Sequence, residues 1–220
     1  MDIHWKMEEF VLKLDHLSLP NFVQELSSGS ATPGGGSAAA LCGAMGAALS
    51  AMVARLTGGR EKFRDAWDKM EGIKRRSDEL AKRFLELVQE DTDAYGEVLA
   101  ALRLPKETEA KNAFRQEALQ KALKKASSVP LETLRVSERL IQMAKEAVEK
   151  GNPNTLTDAA AAVHLAHVAG IIAAYNVRIN LSSLKDDVFV EGCKREVEEI
   201  LVRIAALSAE ADRYVNARLP

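Results

Sequence analysis

From residue 63 to residue 102 apolar side chains recur in steps of three and four, the period of a helix with one face turned inward, and Pro105 closes the segment. The same period returns over 107–126 and 130–150, separated by Ser127, Ser128, Val129 and Pro130, where a proline predicts a kink rather than a full stop. A last amphipathic segment, 186–217, turns Val190, Val197, Leu201, Ile204 and Leu207 to one side and its charges to the other. Two stretches depart from this alternation because they carry almost no charge. No charged residue lies between Glu25 and Arg55, and none lies from Ala159 to Val177. From Gly36 to Ala54, 13 of 19 residues are Ala, Gly or Ser, and Ala39, Gly43, Ala47 and Ala51 fall on one face, where other backbones can come close. This predicts a central helix over 37–54 that stops at Gly58-Gly59. A second buried helix is predicted over 156–183, opened by the turn GNPNT at 151–155. Ser18 reads as the cap of a short helix from Leu19-Pro20 to about Ser27, and 4–14 as another short helix. The expected fold is all-α, a single-domain helical bundle around a buried Ala/Gly-rich helix.

Composition narrows this further. Six prolines and 5% aromatics, among abundant Ala, Leu, Glu and Lys, belong to helices, so almost no strand is expected. The 30 basic and 32 acidic residues are interspersed and give a net charge of −2, which provides no field to gather nucleic acid or an anionic membrane. The uncharged stretch 26–54 is long enough to span a bilayer, but Pro33 and the glycines interrupt it and alanine contributes little to insertion, so a buried or subunit-facing helix is expected. Two such helices exceed what one bundle needs at its centre, which predicts a homodimer. Cys42 and Cys193 form no CxxC pair and read as reduced thiols, and the charged N-terminus MDIHWKMEEF lacks the apolar core of a signal peptide; a cytoplasmic protein is expected.

Candidate chemistry lies at a few polar positions inside apolar patterns. The stripe Leu80, Phe84, Leu87, Asp91, Tyr95 (or Ala94), Val98, Leu102 places the Asp91 carboxyl where an apolar side chain is called for, whereas Asp93 aligns with Glu86, Glu90 and Glu97 on the wet face. Burial raises a carboxyl pKa and makes it able to donate a proton near neutral pH; a structural aspartate bonded to a neighbouring helix is the other reading. Pro33, Gly34, Gly35, Gly36 and Ser37 precede the central helix. Their bare backbone N–H groups at a helix start suit an anion or a ring carbonyl, and a plain turn with Ser37 as cap accounts for the same residues. The Gly-Lys-Ser/Thr ending of a nucleotide-binding loop is missing. In the second uncharged helix Asp158, Asn176 and Asn180 share one row, with Asn176 five turns beyond Asp158. Asp158 also fits as a first-turn helix acid, and the two amides fit either a ligand or a helix seam. His164 and His167 have no HExxH context and no matched carboxylate nearby in sequence, and read as packing or interface residues, with no metal expected.

Taken in order, LPNFVQELSSGSATPGGGSAAA, VQEDTDAYGEVLAALRLPK, VPLETLRVSERL, GNPNTLTDAAAA and AYNVRINL resemble the cyclodeaminase domain of formiminotransferase-cyclodeaminase and its stand-alone relatives, among them methenyltetrahydrofolate cyclohydrolases. The resemblance covers roughly 18–217, leaving 1–17 as an N-terminal extension and 18–220 as the helical domain. It implies a homodimer that binds a tetrahydrofolate derivative in a groove near the subunit contact, needs no cofactor, and uses Asp91 as its catalytic acid. Pro33–Ser37, Asp158, Asn176 and Asn180 match family segments and are implied to bind substrate. No stretch resembles the formiminotransferase domain, so a separate formiminotransferase is the implied source of a formimino substrate. The implied reaction is cyclodeamination of 5-formiminotetrahydrofolate, with the cyclohydrolase reaction as its alternative; a non-enzymatic helical dimer scaffold, its alanine-rich helix only a dimer seam, is the alternative from another class.

Overall fold

The computed structural model describes residues 13–220, and the helix expected over 4–14 falls almost wholly outside them. Among the described residues six α-helices carry the fold: α1 (Leu19–Leu26), α2 (Gly35–Thr57), α3 (Trp67–Leu102), α4 (Glu109–Lys150), α5 (Leu156–Leu181) and α6 (Asp187–Asn216). Single 3-10 segments at Leu14–His16, Glu61–Ala66 and Pro153–Thr155 complete it, and among the described residues there is no strand. The bundle is all-α, with one continuous apolar core.

α2 is central, packed against α3, α5 and α4. Ala39, Gly43, Ala47 and Ala51 are all buried, as their four-residue spacing predicts. The contacts explain why they are small. A Cβ added at Gly43 would overlap the buried Phe84 ring of α3, and one at Gly46 would press on the Ala162 carbonyl and the Leu165 side chain of α5. Ser50 and Ser77 join hydroxyls across the α2–α3 seam at 3.0 Å, satisfying two buried polar groups at once. α2 is terminated by Gly58 and by Gly59, whose φ of 72° is easy only for glycine. The turn before α5 then closes over this end: Asn152 donates its backbone N–H to Thr57 Oγ1 (2.9 Å) and its side-chain N–H to the Leu56 carbonyl (3.3 Å).

Three expectations are corrected. Ser37 does not cap α2: the helix begins two residues earlier with Gly34 as cap, and Ser37 is fully buried in its first turn. α3 begins at Trp67 rather than 63, because the preceding residues take a 3-10 path with Phe63 outside helical geometry. The two helices expected over 107–126 and 130–150 are one, α4, with Pro130 inside it. Proline has no N–H to give to the carbonyl four residues back, that of Ala126. That carbonyl is instead reached by the Asn180 side chain of α5, Nδ2 to O 2.6 Å, so the helix continues without an orphaned buried acceptor.

Candidate active site

The start of α2, the middle of α3, Ala126 of α4 and the C-terminal half of α5 converge on a cleft of about 280 Å³. Gly34, Gly35, Gly36, Asp91, Tyr95, Asn176, Ile179 and Asn180 line it, so most of the sequence-predicted site residues are brought together from three helices. A larger surface groove of about 460 Å³ runs between α4 and α6, but its prominent charges, Arg135 and Glu196, already neutralise each other in an ion pair.

Asp91 sits at the cleft's inner wall. Burial pushes its carboxyl above the ordinary aspartate range, and two groups of Ser37 pull in the opposite direction, first the hydroxyl and then the backbone N–H. The Ser37 hydroxyl lies 2.9 Å from Asp91 Oδ2, 3.1 Å from the Val88 carbonyl and 3.3 Å from Thr92 Oγ1. α2 has no side-chain cap of its own, so the Asp91 carboxyl also occupies the electrostatically favourable position at the helix start. Among the described residues no lysine, arginine or histidine lines the cleft. Asp93, as the helical period predicts, is exposed and accepts a hydrogen bond from Gln89 Nε2 at 2.8 Å. The stripe is continued by Ala94, which is buried, while Tyr95 stands at the cleft rim.

The glycines differ in what they do. A Cβ at Gly36 would collide with the Asp91 carboxylate, so the bare Cα is what lets α2 approach α3 there. A Cβ at Gly35 would meet only Asn176 Nδ2 at 3.6 Å and Ile172 Cγ2 at 3.9 Å, ordinary contacts. None of Gly34, Gly35 and Gly36 has positive φ. Pro33 is buried behind the loop rather than lining the cleft, and Ser37 faces Asp91 rather than the opening.

Asn176 and Asn180 both serve the protein with their nitrogen ends. Asn176 Nδ2 donates to the Ile172 carbonyl of its own helix (2.9 Å), and Asn180 Nδ2 donates to Ala126. Because a carbonyl can only accept, these bonds fix each amide's orientation and commit one N–H, leaving the side-chain oxygen and the second N–H for a ligand. The structure does not bring Asp158 to the cleft. It lies at the start of α5, part-buried, about 27 Å along the helix from Asn176 at 1.5 Å per residue. Sharing a row with Asn176 aligns the two residues without making them neighbours. His164 pairs with Asp212 of α6 at 3.0 Å, and burial lowers the His167 pKa. Thr92, Tyr95 and Ile179 belong to the site although sequence reasoning assigned them no role. Thr92 and Tyr95 follow Asp91 by one and four residues, a placement that gave the only available signal.

Residues 18–199 match the family described as formiminotransferase-cyclodeaminase. The chain is 36% identical over 202 residues to a methenyltetrahydrofolate cyclohydrolase of Methylorubrum extorquens, covering 92% of this chain and 97% of that one. It is 35% identical over 184 residues to the formimidoyltransferase-cyclodeaminase of Rattus norvegicus, covering 84% of this chain and 34% of the rat protein, about a third of its length. Its fold superposes on the crystal structure of formiminotetrahydrofolate cyclodeaminase from Thermotoga maritima with a TM-score of 0.84 at 29% identity, over 93% of this chain and 98% of that one.

Proposed function

The chain belongs to the formiminotransferase-cyclodeaminase family, and from that premise we propose that it is a formimidoyltetrahydrofolate cyclodeaminase, converting 5-formiminotetrahydrofolate to 5,10-methenyltetrahydrofolate and ammonia. The observation that carries this reading is one carboxyl, Asp91, raised by burial, in a cleft with no basic side chain among the described residues. The formimino group is an amidine, cationic when protonated, and its product is an amidinium-like cation. A cleft with one acid, two amide side chains and no basic side chain among the described residues suits such a charge.

The proton transfers need only that carboxyl. N10 of the protonated substrate attacks the formimino carbon, forming a C–N bond and leaving N10 positively charged. Asp91, ionised, takes the N10 proton. Asp91, now neutral, returns that proton to the exocyclic amine, the C–N bond to it breaks, and ammonia departs with the bonding pair as the methenyl cation forms. Unprotonated amide ion is too poor a leaving group for this step; one positioned acid typically contributes ~10²–10⁴-fold. Asn176 and Asn180 orient the N–H groups of the one-carbon unit and pterin through their side-chain oxygens, and the glycine rim lets the ring approach the backbone. The cleft is at the lower edge of the roughly 300–1,000 Å³ that encloses a drug-sized ligand, so it holds the pterin head and leaves the benzoylglutamate part outside.

A second reading is favoured by the 36% identity that extends over nearly the whole of a cyclohydrolase. Water, rather than N10, would be the group deprotonated by Asp91, and 10-formyltetrahydrofolate the product. The purified protein, given each substrate in turn, separates these readings. Ammonia release from the formimino compound supports cyclodeamination; formation of 10-formyltetrahydrofolate with no ammonia release from the formimino compound selects the cyclohydrolase.

The assembly proposed is a homodimer. α2 and α5 pack together, and their outer sides expose Met45, Val168 (43%), Tyr175 (59%) and Ile179 (68%), an apolar surface that reaches the cleft at Ile179. Both helices are long and apolar enough to cross a bilayer by length and composition; in this fold α2 is largely buried, while the segment containing α5 is buried over 39% of its most apolar stretch. A separate formiminotransferase is the proposed supplier of substrate.

A further inference from the structure

We propose that Ser37 is a positioning residue for proton transfer: its hydroxyl holds Asp91 Oδ2, so that the proton Asp91 exchanges with substrate resides on Oδ1, the oxygen nearest Gly36. This rests on the catalytic role of Asp91 proposed above, and it assigns Ser37 a place behind the carboxyl rather than against the substrate.

Three oxygens compete for one hydroxyl proton. Ser37 is fully buried, and its Oγ lies within hydrogen-bond distance of Asp91 Oδ2, the Val88 carbonyl and Thr92 Oγ1. The Val88 carbonyl is inside α3 and is already served by the helix's own N–H ladder. Asp91 Oδ2 belongs to a side chain outside that ladder, and a hydrogen bond to a charged acceptor is about twice as strong as one to a neutral acceptor. The Ser37 proton therefore goes to Oδ2. The Thr92 hydroxyl can in turn donate to Ser37 Oγ, and a chain of two hydroxyls polarises along its length. With Oδ2 occupied by a donor, a proton added to the carboxyl belongs on the other oxygen. Oδ1 is the atom a Cβ at Gly36 would strike first, so it lies against the bare Cα of a residue that lines the cleft. Ser37 keeps its own proton throughout the cycle; only Asp91 changes charge.

The surroundings isolate this pair. α2 presents Ser37 and the backbone of Gly34–Gly36, α3 presents Thr92 and Tyr95, α4 presents Ala126, and α5 presents Asn176, Ile179 and Asn180. Among the described residues Tyr95 is the one other titratable group lining the cleft. Burial raises the carboxyl, and the Ser37 hydroxyl and backbone N–H act against that shift.

The test is the titration of the Asp91 side-chain carbon, followed by NMR in the full-length protein, beside the pH–rate profile. In Ser37→Ala the Asp91 midpoint moves to higher pH, kcat falls at least about tenfold with KM changed much less, and the kinetic limb assigned to Asp91 moves in the same direction as the NMR midpoint. Thr92→Val, which keeps the side chain's shape and removes only the far hydroxyl, moves the midpoint the same way by less. Ser37→Cys, with a weaker donor, lies between wild type and Ser37→Ala. An unmoved Asp91 midpoint in Ser37→Ala overturns the assignment, because the NMR reading needs no turnover. So does a moved midpoint with wild-type kcat while Asp91→Asn is inactive. Full turnover in Asp91→Asn is a different result, and it removes the proposed function itself.

Discussion

The Asn180 side chain of α5 donates to the Ala126 carbonyl of α4, the acceptor that Pro130 leaves without a partner. One residue of the candidate site thus also holds a 42-residue helix together at its proline, with one of its two side-chain N–H groups committed to that bond. Asn180→Ala leaves the carbonyl orphaned and costs about 1–3 kcal/mol in denaturant unfolding. In a Pro130→Ala background the backbone N–H restored at that position reaches the Ala126 carbonyl, so the same Asn180→Ala change costs clearly less. Equal costs in both backgrounds contradict the pairing.

The glycine rim yields a prediction that distinguishes adjacent residues. Gly36→Ala drives a Cβ into Asp91 and forces α2 and α3 apart or the carboxyl aside, lowering kcat at least about tenfold or destabilising the fold by about 1–3 kcal/mol. Gly35→Ala meets only ordinary contacts and leaves stability within about 1 kcal/mol of wild type. Thermal melts and steady-state kinetics on the pair check this, and equal behaviour of the two variants contradicts it.

Much of this arrangement could be read from residue order. Asp91 is visible because an acid interrupts an apolar stripe, and α2 because small residues repeat every fourth position. Ser37 is misread because a serine after glycines at a helix start fits a cap; only the tertiary approach of α3 shows it as Asp91's partner. Asp158 lies away from the cleft for a geometric reason, since a shared row fixes direction and not distance. The unbroken α4 was hidden because Pro130 is tolerated only through Asn180, which lies on a different helix far along the sequence.

Assembly is tested at the exposed apolar side of α5. The proposed homodimer predicts twice the chain mass of 24.0 kDa by light scattering at micromolar concentration. Ile179→Glu, placing a charge where 68% of the side chain is exposed in a single subunit, converts it toward monomer without lowering the subunit's own folding. A wild-type monomer, or an unchanged mass in the variant, contradicts this interface.

Stability also carries a signature of Asp91. Its folded carboxyl binds a proton more tightly than the unfolded one, because burial raises it. Between the two pKa values the native state holds more protons, so this group's contribution falls as pH rises through that window and is constant beyond it. In urea unfolding measured from acidic to neutral pH, the difference in stability between Asp91→Asn and wild type should therefore grow in the variant's favour as pH increases. A difference that shrinks with rising pH would mean that Ser37 and the helix start outweigh burial.

The central claim is that Asp91 moves the proton that lets the one-carbon unit change partners, and Asp91→Asn measures it most directly. The amide keeps the shape and its hydrogen bonds but cannot deliver a proton. Assayed on 5-formiminotetrahydrofolate and on 5,10-methenyltetrahydrofolate, the folded variant should lose ~10²-fold or more in kcat on the physiological substrate, with KM changed much less. Wild-type kcat on both substrates would make Asp91 a structural anchor of α2 and contradict the mechanism.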